Sequence, residues 1–167
     1  MPTPTYVAIA KTVLTGTQQT ITFSAIPSTY TDLLVVISAR ITPSTNYGVC
    51  RIRPNGSTTN DTVRELYNQD GSAGSASDTD FNFYAPGATA TSNTFCNVEI
   101  YIPNYAGSTN KVLSWTQVSE NNSTTSYYMA ANAGLWSNTA AITSLDIFQT
   151  TNFASGSRFD LYGIKNS

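Results

Sequence analysis

The chain contains no histidine. That absence removes the Ser-His-Asp triad, the Cys-His pair and every histidine-containing zinc site. Cysteine is nearly absent as well: Cys50 and Cys96 are too few for a cysteine-only zinc site or a disulfide scaffold. Cys50 shares parity with Ile52, and Cys96 with Val98, Ile100 and Ile102. This phase favours buried free thiols acting as small apolar side chains over a Cys50–Cys96 bridge. Charge is scarce, at 11% of residues, against about 25% in an average globular protein. Eight basic residues face ten acidic ones with no Lys/Arg run, so few phosphates can be neutralised and nucleic acid is excluded as a partner. Apolar runs such as Leu33–Ile37 fall far short of the ~20 residues of a membrane-crossing helix, and no membrane partner is expected. No basic stretch precedes an apolar one near Met1, as a secretory signal requires. The expectation is a soluble chain made in a reducing cytoplasm. The Asn121-Asn122-Ser123-Thr124 glycosylation pattern therefore carries no weight. Helical periodicity is missing too, since no stretch repeats its apolar residues every 3.6 positions.

What fills the chain is uncharged and polar. There are 26 Thr, 19 Ser and 15 Asn among 167 residues. Thr favours strands, and Ser and Asn favour turns over helix interiors, so the composition points to an all-β protein. Nineteen aromatic residues and a net charge of −2 are incompatible with a disordered chain. A 17.9 kDa chain should fold to roughly 8,000 Å² of accessible surface, enough burial for one core.

Strand-like alternation appears at Tyr6–Ala10, Thr20–Ser24, Leu33–Ile41, Tyr47–Arg53, Val63–Tyr67, Phe81–Tyr84, Phe95–Ile102, Val112–Ser119, Tyr127–Trp136, Ile142–Phe148 and Arg158–Ile164. Asn55-Gly56 supplies the positive φ angles of a tight hairpin turn. Asp70–Thr79 is small and polar and reads as a loop, as does Ala85–Asn93. About ten short antiparallel strands with turns between them predict a single-domain, jelly-roll-like β-sandwich over residues 7–167. Residues 1–6 precede it as an extended arm, because Pro2 and Pro4 disfavour regular structure ahead of Tyr6. Such an arm either reaches onto a neighbouring subunit or frays.

No motif singles out a reaction. Asp78-Thr79-Asp80-Phe81-Asn82 opens like a calcium loop, but Phe83 and Thr89 stand where that loop needs Gly and Glu. Solvated loop acids are the simpler account. Glycoside hydrolysis needs a pair of carboxylates with opposed roles, and nothing marks such a pair among the ten acids. The residues therefore point to a non-enzymatic binding or structural module with no cofactor and no metal. Arg51 and Arg53 share a strand face opposite Cys50 and Ile52; Arg40 ends the preceding strand and Arg64 follows the next turn. If those strands pair, the four make one positive patch for an acidic partner protein. Otherwise they are solvated cations with ion pairs to Asp61 and Glu65. Ten tyrosines, densest at Tyr101–Tyr105 and Tyr127-Tyr128, suit half-buried strand positions, protein interfaces and sugar stacking alike.

Several segments read together carry a resemblance. They are Ile21-Thr22-Phe23-Ser24-Ala25-Ile26-Pro27, Tyr30-Thr31-Asp32-Leu33, Glu99-Ile100-Tyr101-Ile102-Pro103-Asn104-Tyr105, Gly134-Leu135-Trp136-Ser137 and Leu161-Tyr162-Gly163-Ile164-Lys165. The chain resembles, over essentially its whole length, small β-rich virion proteins of tailed bacteriophages, cyanophages included. The resemblance implies a jelly roll, often trimeric, that serves as a capsid decoration (cement) protein or as a fibre tip. It carries no residue-level functional motif. The 167 residues show strand pattern from near Met1 and no coiled-coil or β-helical shaft, which favours decoration. The expectation is a homotrimer on the capsid exterior that binds the major capsid protein through Pro2, Pro4, Tyr6, Arg40, Arg51, Arg53 and Arg64. The alternative is a receptor-binding or fibre-tip module recognising a host surface glycan through exposed tyrosines.

Overall fold

Period-two alternation over β-branched and aromatic residues folds as strand from end to end. In the computed structural model, which describes residues 5–165, no helix occurs among the described residues. The strands are β1 (Tyr6–Val13), β2 (Gln18–Phe23), β3 (Asp32–Ser38), β4 (Tyr47–Pro54), β5 (Asp61–Gln69) and β6 (Ser72–Asp78). They continue with β7 (Phe81–Pro86), β8 (Asn97–Pro103), β9 (Lys111–Ser119), β10 (Tyr128–Trp136), β11 (Leu145–Phe153) and β12 (Arg158–Ile164). All pairings are antiparallel. They build an eight-stranded sheet ordered β1-β12-β3-β8-β9-β10-β5-β6 and a four-stranded sheet ordered β2-β11-β4-β7. The chain alternates between the two sheets except at β5–β6 and along β8–β9–β10, which stay in the larger sheet and join through β10 and β5.

The fold is an all-β sandwich, as composition and periodicity imply, with twelve strands among the described residues rather than about ten. The strand missed from composition is β6, inside the stretch read as a loop. Its Ser, Ala and Gly residues have little strand propensity of their own. What holds them is an unbroken register with β5, from Val63↔Asp78 to Gln69↔Ser72. The hairpin between them closes on Asp70 and Gly71, both at positive φ (53° and 86°), the backbone of a primed turn. Asn55-Gly56 also adopts positive φ (51° and 67°), but it joins β4 of one sheet to β5 of the other. The positive-φ turn is there as expected, but it is a crossover between sheets and not a hairpin. Two boundaries also move. Ala39 and Ile41 are buried beyond the end of β3, and the β11 strand begins at Leu145 and runs to Phe153.

The inward sides of both sheets form one apolar core. Leu33, Val35 and Ile37 of β3, Val98, Ile100 and Ile102 of β8, and Phe159 and Leu161 of β12 come from the larger sheet. Ile21 and Phe23 of β2, Cys50 and Ile52 of β4, Phe81 and Phe83 of β7, and Leu145 and Ile147 of β11 come from the smaller one. Burying each large side chain contributes roughly 1.5–3 kcal/mol. The accessible surface of 8080 Å² matches the value expected from the mass.

The free edge of β7 is closed by side chains of the larger sheet. The Trp115 indole Nε1 donates to the Asn82 carbonyl at 3.0 Å, and the Tyr84 backbone N–H donates to Gln117 Oε1 at 2.7 Å. The Phe81 and Trp115 rings meet edge to face at 6.0 Å between centroids. Gly134 of β10 makes room for both: a Cβ there would lie 2.7 Å from Phe81 Cε1 and 2.9 Å from Trp115 Cζ3. Gly134→Val is therefore expected to lower the free energy of unfolding by about 1–3 kcal/mol. Gly16→Val, where a Cβ meets nothing within 4 Å, is expected to stay within about 0.5 kcal/mol. Urea unfolding of the two variants beside the parent protein checks both.

Candidate functional site

The four arginines do not form one patch, because their strands do not pair as that patch requires. β4 lies between β11 and β7, while β3 and β5 belong to the other sheet. Arg51 and Arg53 leave the outer face of the smaller sheet. Arg51 Nε pairs with Asp80 at 3.0 Å, and the Arg53 guanidinium lies over the Phe148 ring at 4.5 Å. Arg64 leaves the outer face of the larger sheet, with Nη1 bonded to the Val63 carbonyl at 3.0 Å. Arg40 is half-buried and committed to a loop. Its guanidinium donates to the carbonyls of Thr91 at 2.8 Å, Thr94 at 3.1 Å and Ala90 at 2.9 Å, which staples the 88–94 loop. Lys111 is used in the same way. Its buried ammonium donates to the carbonyls of Gly107, Thr109 and Thr139, and burial lowers its pKa. Tyr6 is the first residue of β1, opposite Ile164, and is exposed. Pro2 and Pro4 lie outside the described residues.

The broadest exposed feature is the outer face of β8, β9, β10, β5 and β6. Register places Ser75, Leu66, Ala131, Thr116 and Glu99 in one row across it. Ala73, Asn68, Met129, Val118 and Asn97 form the next row, and Ser77, Arg64, Ala133, Ser114 and Tyr101 the row on the other side. Only Arg64 and Glu99 are charged among these fifteen positions. Leu66 is 68% exposed, Met129 48% and Val118 42%. Two shallow hollows, of about 590 and 640 Å³, adjoin at Leu66 and Ala131. Clustered exposed apolar side chains of this kind mark interaction surfaces, unlike scattered ones.

A second, smaller feature lies on the inner face of the β5–β6 end. There Val63, Glu65 and Tyr67 point inward in turn, and the lining changes from apolar to polar. Glu65, Tyr67, Gln69, Asp78, Tyr84 and Tyr128 enclose a hollow of about 190 Å³. Tyr84 and Tyr128 are 4.0 Å apart between ring centroids, and Tyr67 stacks on Tyr128 at 5.9 Å and 18°. Tyr47 meets Tyr84 at 5.7 Å, and its hydroxyl donates to Asp70 Oδ2 at 3.0 Å. Glu65 accepts from Gln117 Nε2 at 3.2 Å and from the Tyr128 hydroxyl. With its amide oriented to satisfy both ends, Asn132 donates to Glu65 Oε1 at 3.1 Å. Burial raises the Glu65 pKa, and burial followed by the adjoining Glu65 charge raises those of Tyr84 and Tyr128.

Of the densest tyrosine stretches in the sequence, Tyr101–Tyr105 and Tyr127-Tyr128, only Tyr128 belongs to this cluster. Tyr105 is fully buried and its hydroxyl donates to the Pro27 carbonyl. Tyr101 donates to Asp32 Oδ2 at 2.9 Å. The available signal was parity: Glu65 is in phase with Val63, and a carboxylate on the core side of a strand is unusual.

Two other groups have the look of reactivity and lack a site. Cys50 and Cys96 are free and buried; burial raises both thiols, Cys96 to about 12, so neither is a nucleophile. Asp61 is buried, its Oδ1 meets no donor, and burial together with the Asp80 charge pushes its pKa up to about 6. Neither Asp61 nor Asp80 lines any of the three hollows above. No family model, curated protein or solved structure matches this chain.

Two outcomes follow from these placements. Arg40→Met is expected to lower stability by about 2 kcal/mol in chemical denaturation, because several loop carbonyls lose a charged donor. Asp61 holds a proton in the folded state from pH ~4 to about 6 that the unfolded chain has released. Its contribution to stability therefore falls as pH rises through that window and is flat above it. Asp61→Asn should be more stable than the parent protein at pH 7, by on the order of 1–3 kcal/mol, with the gap closing toward pH 4. Paired urea titrations across that range read the difference.

Proposed function

We propose that the protein is a non-enzymatic virion structural protein, a decoration (cement) protein that binds the assembled capsid lattice of a tailed phage as a homotrimer. The observation that carries the docking part of this reading is the outer face of β8, β9, β10, β5 and β6. It combines exposed Leu66, Met129 and Val118 with small neighbours and two charges. A face of that kind docks through buried area and shape rather than long-range steering. Burial of the footprint stabilises the assembled shell over its free subunits by mass action. We read the β1-β12-β3-β8 and β2-β11-β4-β7 orders as two nested Greek keys, the jelly-roll arrangement, with β5–β6 and β9–β10 as insertions. The setting is the capsid exterior, after synthesis in the host cytoplasm, and the partner is the major capsid protein.

A second reading, a fibre-tip module for a host glycan, is favoured by the convergence of Tyr47, Tyr67, Tyr84 and Tyr128. Copy number separates the two. Quantitative mass spectrometry of purified virions should give hundreds of copies against the major capsid protein for decoration; a handful would overturn it and move the protein to the tail or a unique vertex. Leu66→Glu combined with Met129→Glu should reduce occupancy on empty shells by about tenfold or more, since two charges would be desolvated on docking. Unchanged occupancy removes this face from the reading.

A further inference from the structure

Each sheet has two edge strands among the described residues: β1 and β6 in the larger, β2 and β7 in the smaller. An open edge is a template for a further strand unless something blunts it. Three of these edges are blunted. Trp115 and Gln117 cap β7. β1 carries a bulge between Ala8 and Ala10 and the exposed Lys11. β2 is six residues long, its ladder with β11 breaks between Phe148 and Phe153, and Gln18 Nε2 donates to the Thr20 carbonyl at 2.7 Å. β6 has none of these devices. Its seven residues hold an unbroken register with β5 and include no proline, lysine or arginine. The two-residue turn at Asp70-Gly71 makes Gln69↔Ser72 a hydrogen-bonded pair. Strand alternation then turns the N–H and C=O groups of Ala73, Ser75 and Ser77 away from β5, where they meet no partner among the described residues.

We propose that β6 pairs with β6 of a second copy of this chain, antiparallel about a two-fold axis at Ser75. In that register Ser75 faces Ser75, and Ala73 and Ser77 face one another. Outward groups meet only outward groups, and each such pair exchanges both of its hydrogen bonds. Centring the axis on another residue leaves some of these groups unpaired. Charge also selects a second copy. The charged residue of β6, Asp78, falls opposite Ser72, and the two Asp78 positions stand roughly 20 Å apart at ~3.4 Å per residue. The side chains that meet across the seam are serine, alanine and glycine, so nothing obstructs close approach. The axis runs through the sheet, which keeps both outer faces on one side. The faces that hold Leu66 and Met129 therefore join into one. A seven-residue edge is a small footprint beside the ~1,600 Å² of a standard interface. Association is accordingly weak in dilute solution and strong where copies are held side by side. This contact goes beyond the decoration reading and stands without it. A two-fold contact cannot close a ring of three, so among homotrimers it links neighbouring ones.

The test follows the mass of the purified protein by sedimentation from micromolar to millimolar concentration. A concentration-dependent rise that begins with a doubling is expected. Ser75→Pro removes an N–H that β5 does not use, at a place where edge strands accept proline, and should weaken the association about tenfold or more. Ser75→Lys sets like charges directly opposite and should weaken it about threefold. Unchanged thermal midpoints will show that both variants fold. Register is read by cross-linking. Opposed residues in a hydrogen-bonded antiparallel pair have Cα atoms about 5.5 Å apart, within disulfide range. Ser75→Cys should therefore form a disulfide dimer under mild oxidation faster than Thr15→Cys, an exposed position in the β1–β2 turn. Cys50 and Cys96 are buried and stay silent. No rise in mass at millimolar concentration, association indifferent to both substitutions, or cross-linking no faster at Ser75→Cys than at Thr15→Cys would each overturn the proposal. No capsid enters the experiment, so its failure is distinct from a failure of the copy-number measurement.

Discussion

The edge of β7 is the constraint on which the rest of the architecture turns. A four-stranded sheet has two open edges, and an open edge with unpaired N–H and C=O groups invites pairing with another chain. Here the larger sheet does not end level with the smaller one. The β9–β10 and β5–β6 hairpins carry it onward until Trp115 and Gln117 reach the Asn82 carbonyl and the Tyr84 N–H. Side chains thus replace a fifth strand. Gly134 is the empty place that lets the Phe81 ring lie between the two sheets. Both exposed features of interest follow from this extension: its outer side is the apolar face, and the inner side beyond β7 holds the tyrosines and Glu65.

Scarcity of charge shapes the surface through the interior. Arg40 and Lys111 each gather loop carbonyls that no strand can satisfy. Asn55 does the same for the 141–144 loop, accepting from the N–H groups of Thr143 and Ser144 and donating to the Ala141 carbonyl. Loops are the places where backbone polar groups go unpaired, and in this protein the Arg40 and Lys111 cations and the Asn55 amide answer them. Arg51, Arg53 and Arg64 stay on the outer sheet faces, but the face of β8, β9, β10, β5 and β6 holds only Arg64 and Glu99 as charges among its fifteen positions, which leaves shape as its means of recognition.

The fold class was legible because period-two alternation is a strong signal wherever one strand face is buried. Leu33, Val35 and Ile37, or Val98, Ile100 and Ile102, could hardly be read otherwise. What could not be read locally was pairing. β6 has no pattern of its own and owes its conformation to β5. Asn55-Gly56 announces a turn without announcing which sheet follows. The same limit applied to the arginines: residues thirteen or fewer positions apart in sequence, such as Arg51 and Arg64, leave different sheets on opposite sides of the sandwich. For the tyrosine hollow the inward parity of Glu65 was visible, but its meaning depended on Tyr84 and Tyr128 arriving from strands far along the chain.

The positions of β11 and β12 bear on how the molecule is made. In chain order they come last, yet β12 lies between β1 and β3, and β11 between β2 and β4. Each half of the sandwich has a gap that only the final strands fill. During synthesis β1 and β2 emerge early and cannot join their ladder partners until residues 145–164 have appeared, whereas β3 and β4 find β8 and β7 on one side and wait for β12 and β11 on the other. Such long-range pairings close large loops and form slowly. The early strands must wait with their apolar sides uncovered, and a nascent chain in that state is a substrate for chaperones and for aggregation. A chain that stops short of Leu145 leaves β1 and β2 with no partner strand and both sheets incomplete.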